Sequence, residues 1–136
     1  MSSQGKLKLS LAILRYTVAA FFAVWVIEKF VKPESTQGIW KAFYFVPDLP
    51  LEASYAIGVV QAVILICFVL GILKFWSYGL LLVMHALSTA STFGQLITPY
   101  TGNNHLFWAA VPALGALIAL FILREEDTLG TVGTRG

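Results

Sequence analysis

The chain has 136 residues, 58% of them hydrophobic and 12% charged, with a mean hydropathy of +0.80 and a formal net charge of +2. A soluble domain carries about 25% charged residues, so this composition excludes an ordinary water-soluble globule and points to an all-α integral membrane protein. The 9 Lys and Arg residues are scattered, which excludes a nucleic-acid surface, since that needs clustered cations.

The first apolar stretch, 9–30, includes LAILRYTVAAFFAVWVIEKF. Arg15 lies inside it, and Glu28 and Lys29 close it. The uncharged run between them is shorter than the roughly 20 residues that a bilayer crossing needs. At about 1.5 Å per residue, Arg15 and Lys29 are roughly 21 Å apart along a helix, against a hydrocarbon layer about 30 Å thick. A spanning helix here therefore places ionisable groups within or at both margins of the slab. Such groups are functional candidates by default. The stretch ends in IEKFVKPE, without the small-residue cleavage site of a signal peptide, and is expected to remain as a span. Glu28 has Lys29, Lys32 one turn on, or a residue of another helix as candidate partners.

An outer loop, 31–52, follows. Within it IWKAFYFVPDLP is aromatic and apolar but too short to span. Trp40 and Tyr44, with Phe43, are residue types that settle at the headgroup level. The segment predicts a short interfacial helix ending near Pro47; a binding lid over the outer ends of the spans is the sharper alternative.

The second span, 53–73, lacks charged residues and carries Cys67, the single cysteine of the chain. One cysteine excludes an intrachain disulfide and a CxxC redox pair. Gln61 sits one turn from Gly58, and its amide needs several partners when buried. Arg15, Lys29 and the polar groups of the next span are the candidates. A tight turn, GILKFWS, then leads into the third span, 75–97.

In that third span His85, Ser88, Thr89 and Thr92 recur at helical spacing, with Ser91 and Gln95 nearby. Residues three, four and seven apart share a face, so the stripe is expected to face other helices rather than lipid. It serves either as helix–helix adhesion or as a ligand or proton path centred on His85. After the turn TPYTGNN comes the fourth span, 105–123. His105 at its start is expected to meet water or headgroups. Pro112 is expected to kink it. One histidine mid-span and one at a boundary do not form a metal-ligand spacing, so no metal site is expected, and haem or chlorin ligation is a lesser alternative to a bound quinone or lipid. The tail, 124–136, has no apolar period and is read as flexible.

Four spans in one domain, 1–136, make an antiparallel four-transmembrane-helix bundle. Lys6, Lys8, Arg15, Lys74, Arg124 and Arg135 fall on one side of it, and Lys29, Lys32 and Lys41 on the other. The positive-inside rule then places both termini in the cytoplasm, with the chain in the inner (plasma) membrane.

Several of these residues resemble the DoxX-like family of small four-helix bacterial membrane proteins. Leu14 and Arg15, Phe21 and Phe22, and Lys29 and Phe30 follow the family's first-span pattern in order and spacing. Gly58, Gln61, Gly71 and Lys74 follow the second, with Gln61 in place of the usual acid. The resemblance implies membership of a respiratory or redox membrane complex rather than a defined reaction.

No nucleophile–base–acid constellation, P-loop, GxGxxG or HExxH occurs. The function expected is therefore a membrane subunit or anchor of a redox-linked complex, without catalysis of its own. It would contact lipid and either partner subunits or further copies of itself. In this view Arg15, Lys29 and Gln61 hold the bundle together. The alternatives are a quinone-linked oxidoreductase component, with quinone oxygens near Arg15, Lys29 or His85, and a small transporter or pigment-binding subunit.

Overall fold

The structure, a computed structural model, describes residues 1–132; Arg135 lies outside them. Six α-helices follow one another: α1 (Ser3–Val31), α2 (Pro33–Phe43), α3 (Leu51–Leu70), α4 (Lys74–Ser91), the single-turn α5 (Phe93–Leu96) and α6 (Ala110–Ile122). A 3-10 segment, Asn104–Ala109, leads directly into α6. No strand occurs among the described residues.

Each long helix buries one stripe. In α1 it runs through Leu11, Ala12, Arg15, Val18, Ala19 and Val26. In α3 it runs through Ser54, Gly58, Leu65 and Phe68, steps of three and four around the helix. Lys74, Ser77, Tyr78, Leu81, His85 and Thr89 form the α4 stripe, and Leu117 and Leu120 that of α6. The long helices contact one another in the cyclic order α1, α3, α4, α6, and back to α1. Gly58 allows a close approach of α1 to α3: a Cβ there would sit 2.8 Å from the Phe30 ring and 3.2 Å from Lys29 Cβ.

Three helical stretches are long and apolar enough to cross a membrane: Ser3–Val31, Leu51–Leu70 and Asn104–Ile122. The third predicted span is not among them. It breaks at Thr92 into α4 and α5. The reason lies in its hydroxyls. Thr89, Ser91 and Thr92 donate to the carbonyls of His85, Ser88 and Thr89 at 2.6–2.8 Å, and such back-bonding competes with the backbone ladder and bends helices.

Pro112 does not kink a helix interior. It occupies the first turn of α6, just after the 3-10 segment ends. A proline is tolerated there because first-turn N–H groups have no intrahelical acceptor.

The connection 31–52 is mostly helical. A short helix is present there, but it starts at Pro33 and ends at Phe43, before the expected stop near Pro47. Gln37 ties it back by donating to the Leu49 carbonyl at 2.8 Å, and the Phe43 ring meets Phe107 edge-on at 6.1 Å. Trp40 and Tyr44 pack edge to face at 5.1 Å and are half-buried, whereas His105 is exposed.

The described part of the tail is not a free arm. Residues after α6 turn back over the middle of α1, the end of α3 and the start of α4, and Asp127 is fully buried. Its burial is the feature that composition concealed.

Candidate functional site

The site starts from a chemical necessity. The helical period puts Arg15 on the buried stripe of α1, between Leu11 and Val18, where it is 0% exposed. A guanidinium cannot be left unpaired in such a place, because burying an isolated charge costs far more than folding returns. Its five N–H groups need acceptors in a fixed fork. The fold supplies three. Nη1 pairs with Oδ1 of Asp127, Nε donates to the Val69 carbonyl at 3.1 Å, and Nη2 donates to the Leu129 carbonyl at 2.6 Å.

Asp127 is held from three sides. The Tyr78 hydroxyl donates to its Oδ2 at 2.6 Å. The Lys74 ammonium donates to its backbone carbonyl at 2.7 Å. Lys74 and Tyr78 are 1% and 0% exposed. They lie one turn apart at the start of α4, so both side chains reach the same point. Tyr78 also stacks at a tilt on Phe68 of α3, with ring centroids 4.8 Å apart.

The end of α3 shows why these groups meet here. A helix leaves its last four carbonyls without partners. Gly71, with φ +70°, ends α3 in the left-handed conformation that glycine adopts freely. Ile72 N–H then bonds the Cys67 carbonyl and Gly71 N–H that of Phe68. The remaining two, Val69 and Leu70, are taken by Arg15 Nε and by the N–H of Val132, at 3.1 and 2.8 Å. All four carbonyls are satisfied, the last two by side-chain and tail groups distant in sequence. The guanidinium also lies at the negative end of the α3 dipole, which favours a cation.

The other expected site residues do not converge on Arg15. His85 is buried and tied to α6: its Nε2 lies 2.8 Å from the Ala110 carbonyl. A carbonyl only accepts, so Nε2 carries the proton. The rings of Phe21 and Phe22 approach His85 edge to face, with centroids 6.2 and 5.0 Å away. Thr89 lies on the same buried face, but Ser88 is exposed and Thr92 half-buried. The polar stripe is therefore narrower than its spacing suggested, and its hydroxyls bond their own helix. Lys29 donates to the Trp25 carbonyl at 3.3 Å. Glu28 is half-buried and has no partner within 4.0 Å in an ion pair among the described residues. Gln61 is half-buried on the α3 stripe, and among the described residues its amide makes no hydrogen bond. The expectation that Gln61 and the α4 stripe satisfy Arg15 is thus corrected: Asp127 does so.

Asp127, Lys74 and Tyr78 were missed as site residues. One signal was available. An even number of spans places the tail's acids at the same end as Arg15 and Lys74, and a buried cation calls for an anion there. No group of three or more His, Cys, Asp or Glu that could hold a metal occurs among the described residues.

An open apolar groove of about 410 Å³ runs along α1 and α3 beside this cluster, lined by Tyr16, Ala19, Ala23, Leu65, Ile66 and Val69 among others. Its small α1 residues let lipid tails or another helix come close.

Residues 7–103 match the family model described as methylamine utilisation protein MauE. That match overturns the resemblance to the DoxX-like family, which rested on patterns of only two to four residues each. Comparison with curated proteins and with solved structures returned no match. Arg15, Lys74, Tyr78 and His85 fall within the matched region, and Asp127 lies beyond it.

Proposed function

The chain belongs to the methylamine utilisation protein MauE family, and from that premise we propose that it is a small membrane accessory subunit of a methylamine utilisation system, with no catalysis of its own. The family match over residues 7–103 carries this reading. The chemistry of the buried groups supports the non-catalytic part. Arg15, Asp127, Lys74 and Tyr78 are engaged in closing the fold, and His85 in joining α4 to α6.

In this proposal α1, α3, α4 and the stretch ending in α6 cross the inner membrane as an antiparallel four-helix bundle. The less apolar α4 is carried through by its neighbours α3 and α6. The positive-inside rule puts both termini in the cytoplasm. The subunit works against lipid and other proteins of the system. Any coupling to redox chemistry runs through those partners.

The test is genetic and biochemical together. Deleting the gene in its host is expected to abolish growth on methylamine while leaving growth on an unrelated substrate unchanged. Native purification with mass spectrometry is expected to recover other proteins of the same system. Unimpaired growth on methylamine would refute the assignment.

A further inference from the structure

The contacts that hold the tail are those of a receptor for an extended peptide. From Asp127 to Val132 the segment forms no helix or strand. It is gripped at six points by other elements. Its carboxylate meets Arg15 and Tyr78. Its carbonyls at Asp127, Leu129 and Gly130 accept from Lys74 at 2.7 Å, Arg15 at 2.6 Å and Tyr16 at 3.4 Å. Its N–H at Val132 donates to the Leu70 carbonyl at 2.8 Å.

The steric fit is two-sided. A Cβ on Gly71, in the cradle, would stand 2.6 Å from Thr131 of the tail. A Cβ on Gly130, in the tail, would stand 2.5 Å from the Tyr16 hydroxyl. Gly130 also has φ +72°, a conformation that other residues adopt at a cost. Backbone bonds give such a site its affinity, and a fixed carboxylate and a glycine-only position give it selectivity.

We infer that the middle of α1, the end of α3 and the start of α4 form a peptide-binding site that the chain's own tail fills in cis, and that an acidic segment of a partner protein occupies the same cradle in trans. The partner segment carries an aspartate three residues before a glycine, as Asp127 precedes Gly130. Its aspartate takes the place of Asp127 between Arg15 and Tyr78, and the native tail is released. A lipid headgroup matches this chemistry less well. It can replace the carboxylate but offers no counterpart to the backbone groups at 129, 130 and 132. The inference is independent of the methylamine assignment, since it rests on the cradle alone.

The test uses the full-length protein in detergent and a fluorescent peptide of sequence EEDTLGTV, the chain's own residues 125–132. The variant Asp127→Asn, whose own tail has lost the buried carboxylate, is expected to bind the peptide at least about 100-fold more tightly than the wild-type chain, because one-sided loss of a buried ion pair shifts an equilibrium by two decades or more. A peptide with Asn at the aspartate, or with Ala at the glycine, is expected not to compete. Where Asp127→Asn does not fold, the wild-type chain serves: a large excess of EEDTLGTV is expected to make its tail sensitive to carboxypeptidase. Equal binding by wild type and variant, equal binding of a scrambled peptide of the same charge, or release of the tail by anionic vesicles but not by peptide would each overturn the inference.

Discussion

Arg15 and Asp127 stand 112 positions apart in the chain and meet as an ion pair in which neither side chain is exposed. The pair joins the middle of α1 to the segment after α6, so it closes the chain end to end. Its energetics follow from its burial. A surface pair contributes about 0–1 kcal/mol, but removing one partner of a buried pair strands the other charge.

Asp127→Asn is accordingly expected to destabilise the folded protein by about 3–5 kcal/mol, read as a lowered unfolding midpoint in detergent. Replacing both Arg15 and Asp127 by leucine is expected to cost less than the sum of the two single changes, because no charge is then left unpaired. A loss below about 1 kcal/mol for Asp127→Asn, the range of exposed pairs, would show that water reaches the pair.

Gly71 and Gly102 separate backbone strain from steric fit. Both have positive φ, +70° and +56°. Around Gly102 nothing lies within 4 Å of an added Cβ, whereas at Gly71 it would meet Thr131 at 2.6 Å. Gly102→Ala is expected to cost about 1–2 kcal/mol from the left-handed conformation alone. Gly71→Ala is expected to cost more and to release the tail, seen as faster amide exchange at Val132. Equal costs, with Val132 still protected, would count against the tail packing described.

His85→Leu is expected to leave the Ala110 carbonyl without its cross-helix donor, a loss of about 1–3 kcal/mol. Growth on methylamine is expected to survive wherever the variant protein accumulates normally, since His85 here joins α4 to α6. Loss of growth at normal protein levels would instead give His85 a direct functional part.

Gly58→Ala is expected to push α1 away from α3, because its Cβ would fall 2.8 Å from the Phe30 ring and 3.2 Å from Lys29 Cβ. Overpacking of this kind costs about 1–3 kcal/mol. Phe30→Ala in the same chain is expected to recover part of the loss, by thermal unfolding. No recovery would mean that the Lys29 Cβ contact, rather than the ring, is limiting.

The helices were legible because their signals are local. Long apolar runs, the glycine that ends α3 and the Pro/Gly/Asn turn before the last helix can each be read within a few residues. The third span was read as one unbroken helix, since its hydropathy run conceals three hydroxyls that bond backwards and break it at Thr92. Arg15 was recognised as needing a partner, but Gln61 was named as one. Gln61 does share a buried helix stripe, and spacing alone cannot tell which stripe faces which group.

What the sequence by itself determined is that this chain lives in a membrane, that it is helical, and that a cation inside its first helix has to be satisfied. Those conclusions follow from composition, helical period and the cost of burying charge. Only the tertiary structure decided that the satisfying anion is Asp127. The tail carries no apolar period, so nothing local marks it as ordered. Its order comes from the Leu70 carbonyl at the end of α3 and two cations on α1 and α4 that become neighbours only once the helices have packed.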